Sequence, residues 1–261
     1  MIDYEKKELL LSVKNVSLKY EKPILNEISL DIHNITRPGM VQGQIISICG
    51  KSGCGKTSLF NLLSGYNNPD SGEIFVGIDQ HKVTKGEMGV VPQDYTLFNH
   101  RTVYDNLNLA LWNAKGVDKK KTIDEYAEYF GLTGSLTKYP CDLSGGQKQR
   151  VSILQQVLAG NKFILLDEPF SGLDTIMKDK VVDLLVKVSN LDEMNTLVVV
   201  SHDIESSCAI ADTVFVLANK DGNGSTMVKT YDLLEEGLAY KKGIKDIPRF
   251  REILSEVKSL I

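Results

Sequence analysis

The residues most able to do chemistry stand between positions 50 and 57: Gly50-Lys51-Ser52-Gly53-Cys54-Gly55-Lys56-Thr57, which fits the pattern G-x-x-x-x-G-K-[ST]. Glycines let successive backbone N–H groups turn inward around phosphate oxygens. The helix expected to begin at Lys56 adds the partial positive charge of its N-terminus. In such a loop Lys56 reaches the β- and γ-phosphates of a nucleoside triphosphate and the Thr57 hydroxyl ligates Mg²⁺. The expected nucleotide contacts therefore run from Gly50 through Lys51, Ser52, Gly53, Cys54, Gly55, Lys56 and Thr57 to Ser58, with Cys54 present as a small residue rather than as a reactive thiol.

A second constellation follows at Phe163-Ile164-Leu165-Leu166-Asp167-Glu168, an apolar run ending in two adjacent carboxylates. Alone it reads as two solvent-facing acids at the end of a strand. Beside a phosphate loop it reads differently: Asp167 holds Mg²⁺, directly or through water, and Glu168 orients or deprotonates an attacking water. General-base assistance of that kind contributes roughly 10²–10⁴ in rate.

These residues need a scaffold that brings them together. Ile45–Ile48, Phe163–Leu166 and Leu197–Val200 are short, unbroken apolar runs, as expected for strands buried on both faces of a parallel sheet. They end at Gly50, Asp167 and Ser201-His202, and ligands in open α/β sheets bind just beyond such carboxyl ends. The first ~80 residues carry another pattern. Val16, Leu18 and Tyr20 alternate with polar residues, as do Ile28, Leu30 and Ile32, which predicts half-buried antiparallel strands. Pro38-Gly39 and Gly43 predict a turn. The spacing predicts helices over Lys56–Ser64, Val103–Trp112, Thr122–Phe130 and Gln147–Ala159, the last with Val151, Leu154, Val157 and Leu158 on one face. The fold class expected is α/β: a core with a mostly parallel sheet, an N-terminal antiparallel β subdomain, and a helical subdomain over about 94–160 inserted in the α/β core. After His202 come a short helix, a strand at Thr213–Leu217 and a turn at Asp221–Gly224. The tail, about 231–261, ends in an amphipathic helix with Phe250, Ile253, Leu254, Val257 and Leu260 at helical spacing and Pro248 near its start. The whole is read as one domain, 1–261.

Composition narrows the function classes. The net charge is −4, so no broad basic surface invites nucleic acid, and Lys119–Lys121 reads as a solvated helix face. The four cysteines form neither a CxxC pair nor a metal-ligand spacing, and a reducing compartment is expected. The polar, acidic start of the chain does not read as a secretory signal. No run approaches the ~18 apolar residues of a spanning helix, so any membrane role is expected to come through a partner.

Leu143-Ser144-Gly145-Gly146-Gln147, continued by Lys148-Gln149-Arg150, matches the signature of the ABC ATPase family, and the other motifs of that family occur in order. Gln93 in Val91-Pro92-Gln93-Asp94 resembles the glutamine loop. Ser171-Gly172-Leu173-Asp174 resembles the loop after the paired carboxylates, and Ser201-His202-Asp203 resembles the switch histidine. Tyr20 stands where the family places an aromatic that stacks on adenine. The resemblance runs from about Leu10 to the last helix. It implies an ATPase in which Glu168, His202, Gln93 and Lys56 act in catalysis and Thr57, Gln93 and Asp167 surround Mg²⁺. Ser144, Gly145, Gly146, Gln147 and Asp174 would then face the ATP held by a second copy of the chain, or a homologous ATPase subunit, packed head to tail. It further implies integral-membrane permease subunits as partners, a cytoplasmic location on the inner face of the membrane, and no nucleic-acid partner.

Glu168-Pro169-Phe170, the segment Arg101–Leu107 and the tail Asp246–Leu254 resemble the nitrate/taurine-type importers, which implies import of a small solute. Gln155, Gln156, Gly160-Asn161 and the long connection His33–Gly43 depart from that group. The alternative within the family is a soluble ATPase without a transport role, such as the iron–sulfur assembly type. A regulator that binds nucleotide without turnover conflicts with the presence of Glu168 and His202.

Overall fold

The computed structural model describes residues 4–37, 41–241 and 243–261. In chain order the elements are β1 (Glu5–Lys19), β2 (Pro23–Thr36), β3 (Gln44–Cys49), α1 (Lys56–Leu63), β4 (Ser71–Val76), β5 (His81–Lys82), β6 (Gly89–Val91), α2 (Val103–Ala110), α3 (Lys119–Tyr129), α4 (Gly145–Leu158), β7 (Phe163–Asp167), α5 (Thr175–Ser189), β8 (Thr196–Ser201), α6 (Ile204–Ile210), β9 (Thr213–Ala218), β10 (Thr226–Asp232) and α7 (Pro248–Leu260). They form two sheets. One is antiparallel, in the order β2-β1-β4-β5; the other has six strands, β10-β9-β3-β8-β7-β6, parallel except where β10 meets β9.

The three apolar runs are the centre of the six-stranded sheet, and the pleat explains why they do not alternate in polarity. Successive side chains point to opposite faces, and here both faces are covered. Ile46, Ile48, Leu165, Val198 and Val200 pack toward α1 and the antiparallel sheet, which supplies Val13, Val16, Leu25 and Ile28. Ile45, Ile164, Leu166, Leu197 and Val199 face the other way, toward helices α2 to α5. A third cluster joins α6, β9, β10 and α7 through Cys208, Val214, Tyr231, Phe250 and Val257.

The antiparallel strands follow their alternation, with Val16 opposite Ile28 and Val13 opposite Leu30. Tyr20 does not: β1 stops at Lys19, and Tyr20 lies in the hairpin turn with 59% of its surface exposed. The turn expected at Pro38-Gly39 lies outside the described residues.

Helix ends moved where capping outweighed apolar spacing. Asp118 accepts the N–H of Lys121 and starts α3 three residues earlier than the apolar spacing suggests, so Lys119–Lys121 form its first turn. Ser144 starts α4 at Gly145 by a capping box with Gln147. Helix α2 ends at Ala110, short of Trp112. Helix α5 was not anticipated, although Val181, Leu184, Leu185 and Val188 form a helical stripe and all are buried. Helices α2, α3 and α4 all lie between β6 and β7, which pair directly. In the tail the first element is the end of β10; α7 begins only at Pro248, with its apolar stripe buried as the spacing indicates. Among the described residues, no helix is long and apolar enough to cross a membrane.

Candidate nucleotide site

Parallel register brings the chemistry together. Cys49 pairs with Ser201, Asp167 with Val200 and Val91 with Leu166, so β3, β8, β7 and β6 end side by side. Their following residues converge on one cleft of about 460 Å³. The glycine loop lines it with Ser52, Gly53, Gly55, Lys56, Thr57 and Ser58; the other strand ends contribute Gln93, Glu168, Ser171 and His202.

The loop is held close to its scaffold. Gly55 has φ +90, and a Cβ there would lie 2.8 Å from Ile24 Cγ2, so the position needs glycine on two counts. At Gly50 a Cβ would lie 2.6 Å from the carbonyl oxygen of Leu217 in β9. The Lys56 ammonium is almost fully buried and donates to the carbonyl oxygens of Gly50 and Lys51 at 3.0 and 3.1 Å. Its third neighbour is Glu168 Oε1 at 3.3 Å. Cys54 donates its N–H to Lys51, and burial pushes its thiol upward, so it behaves as a filler of the loop.

Asp167 and Glu168 are adjacent but sit in different surroundings. Burial, then the charge of Glu168, raises the Asp167 carboxyl above the ordinary range, while the nearby Thr57 hydroxyl and the Lys56 charge work against them. Among the described residues Asp167 Oδ1 has no hydrogen-bond partner, although it is buried. Such an orphaned acceptor is costly. An oxygen acceptor of this kind beside a hydroxyl is the donor set a hard divalent cation takes.

Glu168 leaves the strand in the left-handed region, at φ +49. For a residue with a Cβ this conformation costs of order 1–3 kcal/mol and persists only where neighbours hold it. The neighbours here are Val200, whose carbonyl accepts the Glu168 N–H at 2.8 Å, and Ser171, whose N–H bonds the Glu168 carbonyl at 3.1 Å. The turn aims the carboxylate across the sheet. Oε2 accepts from His202 Nδ1 at 2.7 Å, from the His202 N–H at 3.1 Å and from the Ser201 hydroxyl at 3.2 Å. Bonding a carboxylate through Nδ1 puts a proton on that nitrogen. Gln93 is exposed at the rim, its Nε2 3.4 Å from Ser171 Oγ.

Other expected site residues lie elsewhere in the chain. Ser144 and Gly145 are exposed at the start of α4, Gly146 rests against Met177, and Gln147 is tied to Ser144 and Ser135; none of them lines the cleft. Asp174 caps α5 by accepting the Met177 N–H at 2.9 Å. Tyr20 points from its turn into solvent, and Ile24 takes the place nearest the loop. Ser171 and Ser201 were not marked as site residues by sequence. Each sits within a quoted motif, and only the fold reveals what its hydroxyl touches.

The profile of the ABC transporter family matches residues 34–171. The nitrate import ATP-binding protein NrtD of Synechococcus elongatus is 30% identical, over 82% of this chain and 79% of its own. Among solved structures, cbiO1 from Clostridium perfringens, part of the transporter complex cbiONQ, aligns with a TM-score of 0.74 at 26% identity over 95% of this chain and all of that one. The ATP-binding cassette MJ0796, dimeric and bound to ADP and Pi in a post-hydrolysis state, aligns at 0.69 with 25% identity over 86% of this chain and 99% of its own.

Proposed function

The chain belongs to the ABC transporter family, and from that premise we propose that it is the ATP-binding and hydrolysing subunit of an importer of a small solute, working as a dimer on a separate membrane permease. The observation that carries the reading is the convergence of the glycine loop, Glu168, Gln93 and His202 on one cleft, with the Ser144 helix end exposed away from it. A helix N-terminus favours anions, and the one at Ser144 has no phosphate loop of its own chain beside it. A second copy packed head to tail places it against the other copy's nucleotide, a symmetric arrangement in which each patch meets its complement.

The residues divide the work. Inward-facing N–H groups of the loop and the Lys56 ammonium hold the β- and γ-phosphates, Lys56 exchanging its contact with Glu168 for phosphate oxygens. Thr57 and the orphaned Asp167 Oδ1, with Gln93 at the rim, would hold Mg²⁺, which when bound offsets the charge of the phosphates. Glu168 is fixed by three donors on Oε2, and Oε1, once Lys56 has turned from it to phosphate, can orient an attacking water and accept its proton. His202, half-exposed, lines the cleft beside Glu168, with its Nδ1 committed to that carboxylate. Tyr20, exposed at the hairpin turn, is available to stack on a base, and Asp174 and Ser144–Gln147 serve the opposite copy's nucleotide. Residues 94–160 form the helical subdomain that meets the permease. The name of NrtD supports import over an iron–sulfur assembly role.

Sizing in the presence of MgATP tests the reading. Glu168→Gln should elute as a dimer with ATP and as a monomer without it. Adding Ser144→Arg should abolish the dimer while each chain still binds ATP. A double variant that dimerises as well as Glu168→Gln alone would remove the Ser144 helix end from the nucleotide interface.

A further inference from the structure

Ser201 is the last residue of β8, and none of its surface is exposed. Among the described residues its hydroxyl has two hydrogen-bond partners. One is the backbone N–H of Asp203, which donates to Oγ at 3.0 Å. The other is Glu168 Oε2, at 3.2 Å. A serine hydroxyl carries one proton and two lone pairs. Because Asp203 can only donate, and a carboxylate can only accept, the proton points at Glu168. The hydroxyl therefore does more than terminate a strand: it directs a charge-assisted hydrogen bond at the carboxylate read as activating water.

The orientation of that hydroxyl is itself held. Asp203 caps α6 through Oδ1, which accepts the Ser206 N–H at 3.0 Å, and its Oδ2 takes the Lys178 ammonium at 2.5 Å. Burial works against the Asp203 carboxylate, but the Lys178 pair and the Ser206 N–H hold its carboxyl below the ordinary range, so it stays charged and engaged. Lys178 stands one turn into α5, its N–H bonded to the carbonyl of Asp174 at the cap. The next residues at that helix end are surface ones: Ile176 is 71% exposed. The bonds thus run without a break from an exposed helix start, Lys178 to Asp203 to Ser201 to Glu168, across three elements that share no other polar link to the carboxylate except His202 among the described residues.

We propose that Ser201 is a positioning residue for ATP hydrolysis, fixing the Glu168 carboxylate, and that the Lys178–Asp203 pair relays the position of the α5 start to it. The inference rests on the reading of Glu168 as the group that activates water. A serine acting only as a strand-end cap would spend its proton on a backbone carbonyl; this one has a carboxylate at bonding distance instead.

The test separates turnover from binding on the full chain. Steady-state phosphate release gives kcat and KM for MgATP, and equilibrium binding of ATP in EDTA, where turnover is off, gives affinity. Ser201→Ala should lower kcat by about ten- to a hundredfold, the loss of one hydrogen bond to a charged acceptor, with KM and ATP affinity within about twofold of wild type. Ser201→Thr, which keeps the hydroxyl, should recover most of kcat. Lys178→Met, at a partly exposed position that tolerates change, should lower kcat severalfold without altering ATP affinity, and Lys178→Arg should recover it. A Ser201→Ala enzyme with wild-type kcat overturns the positioning role, as does a loss that Ser201→Thr fails to recover or that falls equally on affinity and melting temperature. An unchanged kcat in Lys178→Met overturns the relay. If Ser201→Ala does not fold, the two Lys178 variants still decide that part, and Ser201→Thr against wild type decides the other, a kcat well below wild type counting against it. Glu168→Gln is run beside them. Wild-type turnover there would mean that the reading of the site has failed, whereas a dead Glu168→Gln with an active Ser201→Ala would mean that only this inference has.

Discussion

Replacing Asp212 by Asn should change how stability depends on pH, because this carboxyl sits in a buried knot far from water. Asp212 and Arg37 are both fully buried and form an ion pair, and Asp212 Oδ2 also accepts the Ile45 N–H at 2.8 Å and the Tyr240 hydroxyl at 2.9 Å. Arg37 donates to the Gly43 carbonyl at 2.9 Å and lies 4.9 Å from the Tyr240 ring centre. Two large effects oppose each other. Burial disfavours the charged carboxylate; the guanidinium, the Ile45 N–H and the phenol favour it. Burial wins, and the carboxyl is raised from 3.8 to about 6. A raised carboxyl means that the folded chain holds the proton more tightly than the unfolded one. The associated stability is fully present below pH 3.8 and is lost as pH rises through about 6. At about 1.36 kcal/mol per pH unit the loss comes to about 3 kcal/mol at neutral pH. Other carboxylates, Asp203 and Asp192 among them, are held low and oppose this trend in the whole protein. The measurement is therefore a difference: urea unfolding of wild type and Asp212→Asn side by side from pH 4 to 7.5. The stability of wild type minus that of the variant should fall by up to about 3 kcal/mol across that range. A constant difference would refute the argument. A rising one would show that the attraction of Arg37 exceeds the cost of burial, as in pairs whose disruption costs about 3–5 kcal/mol.

Other outcomes can be measured directly. Glu168→Gln should lower phosphate release by roughly 10²–10⁴ while ATP binding in EDTA persists; turnover near that of wild type would exclude Glu168 as the base. Lys56→Ala should weaken ATP binding in the same assay, since Lys56 is the one lysine among the described residues lining the cleft; full affinity would contradict the phosphate role. Phe250→Ala empties a fully buried position in the cluster that seats α7, and should cost about 3–5 kcal/mol in a urea midpoint measurement; a loss below about 1 kcal/mol would mean that α7 is not seated through that ring.

How legible the fold was can be judged from single elements. The runs at Ile45, Phe163 and Leu197 were readable as central strands because a strand covered on both faces needs apolar residues at every position, and few other settings demand that. Helix α7 was readable from its stripe. Helix α5 carries a stripe just as regular, but its start depends on the single cap Asp174, at the end of a turn-rich segment. The early start of α3 depended on Asp118, a cap whose signal is one side chain against a run of three lysines. Tyr20 continued an alternation in the sequence that the chain does not continue in space, since the strand turns at Lys19.

The site divides along the same line. Residue types and spacing by themselves determined that a triphosphate loop, a paired carboxylate and a histidine exist, because backbone N–H groups can surround phosphate only where glycines permit it, and this is a local property of the chain. They also placed each group at the end of a strand. Spacing along the chain says nothing about distance across it. That Glu168 turns left-handed to meet His202, that Ser201 spends its proton on the same oxygen, and that Asp167 keeps a buried oxygen unbonded among the described residues were decided by the register of β3, β7 and β8. Hydrogen bonds between residues more than thirty positions apart form only where neighbouring strands stand a few ångströms apart, and packing of the whole sheet sets that separation.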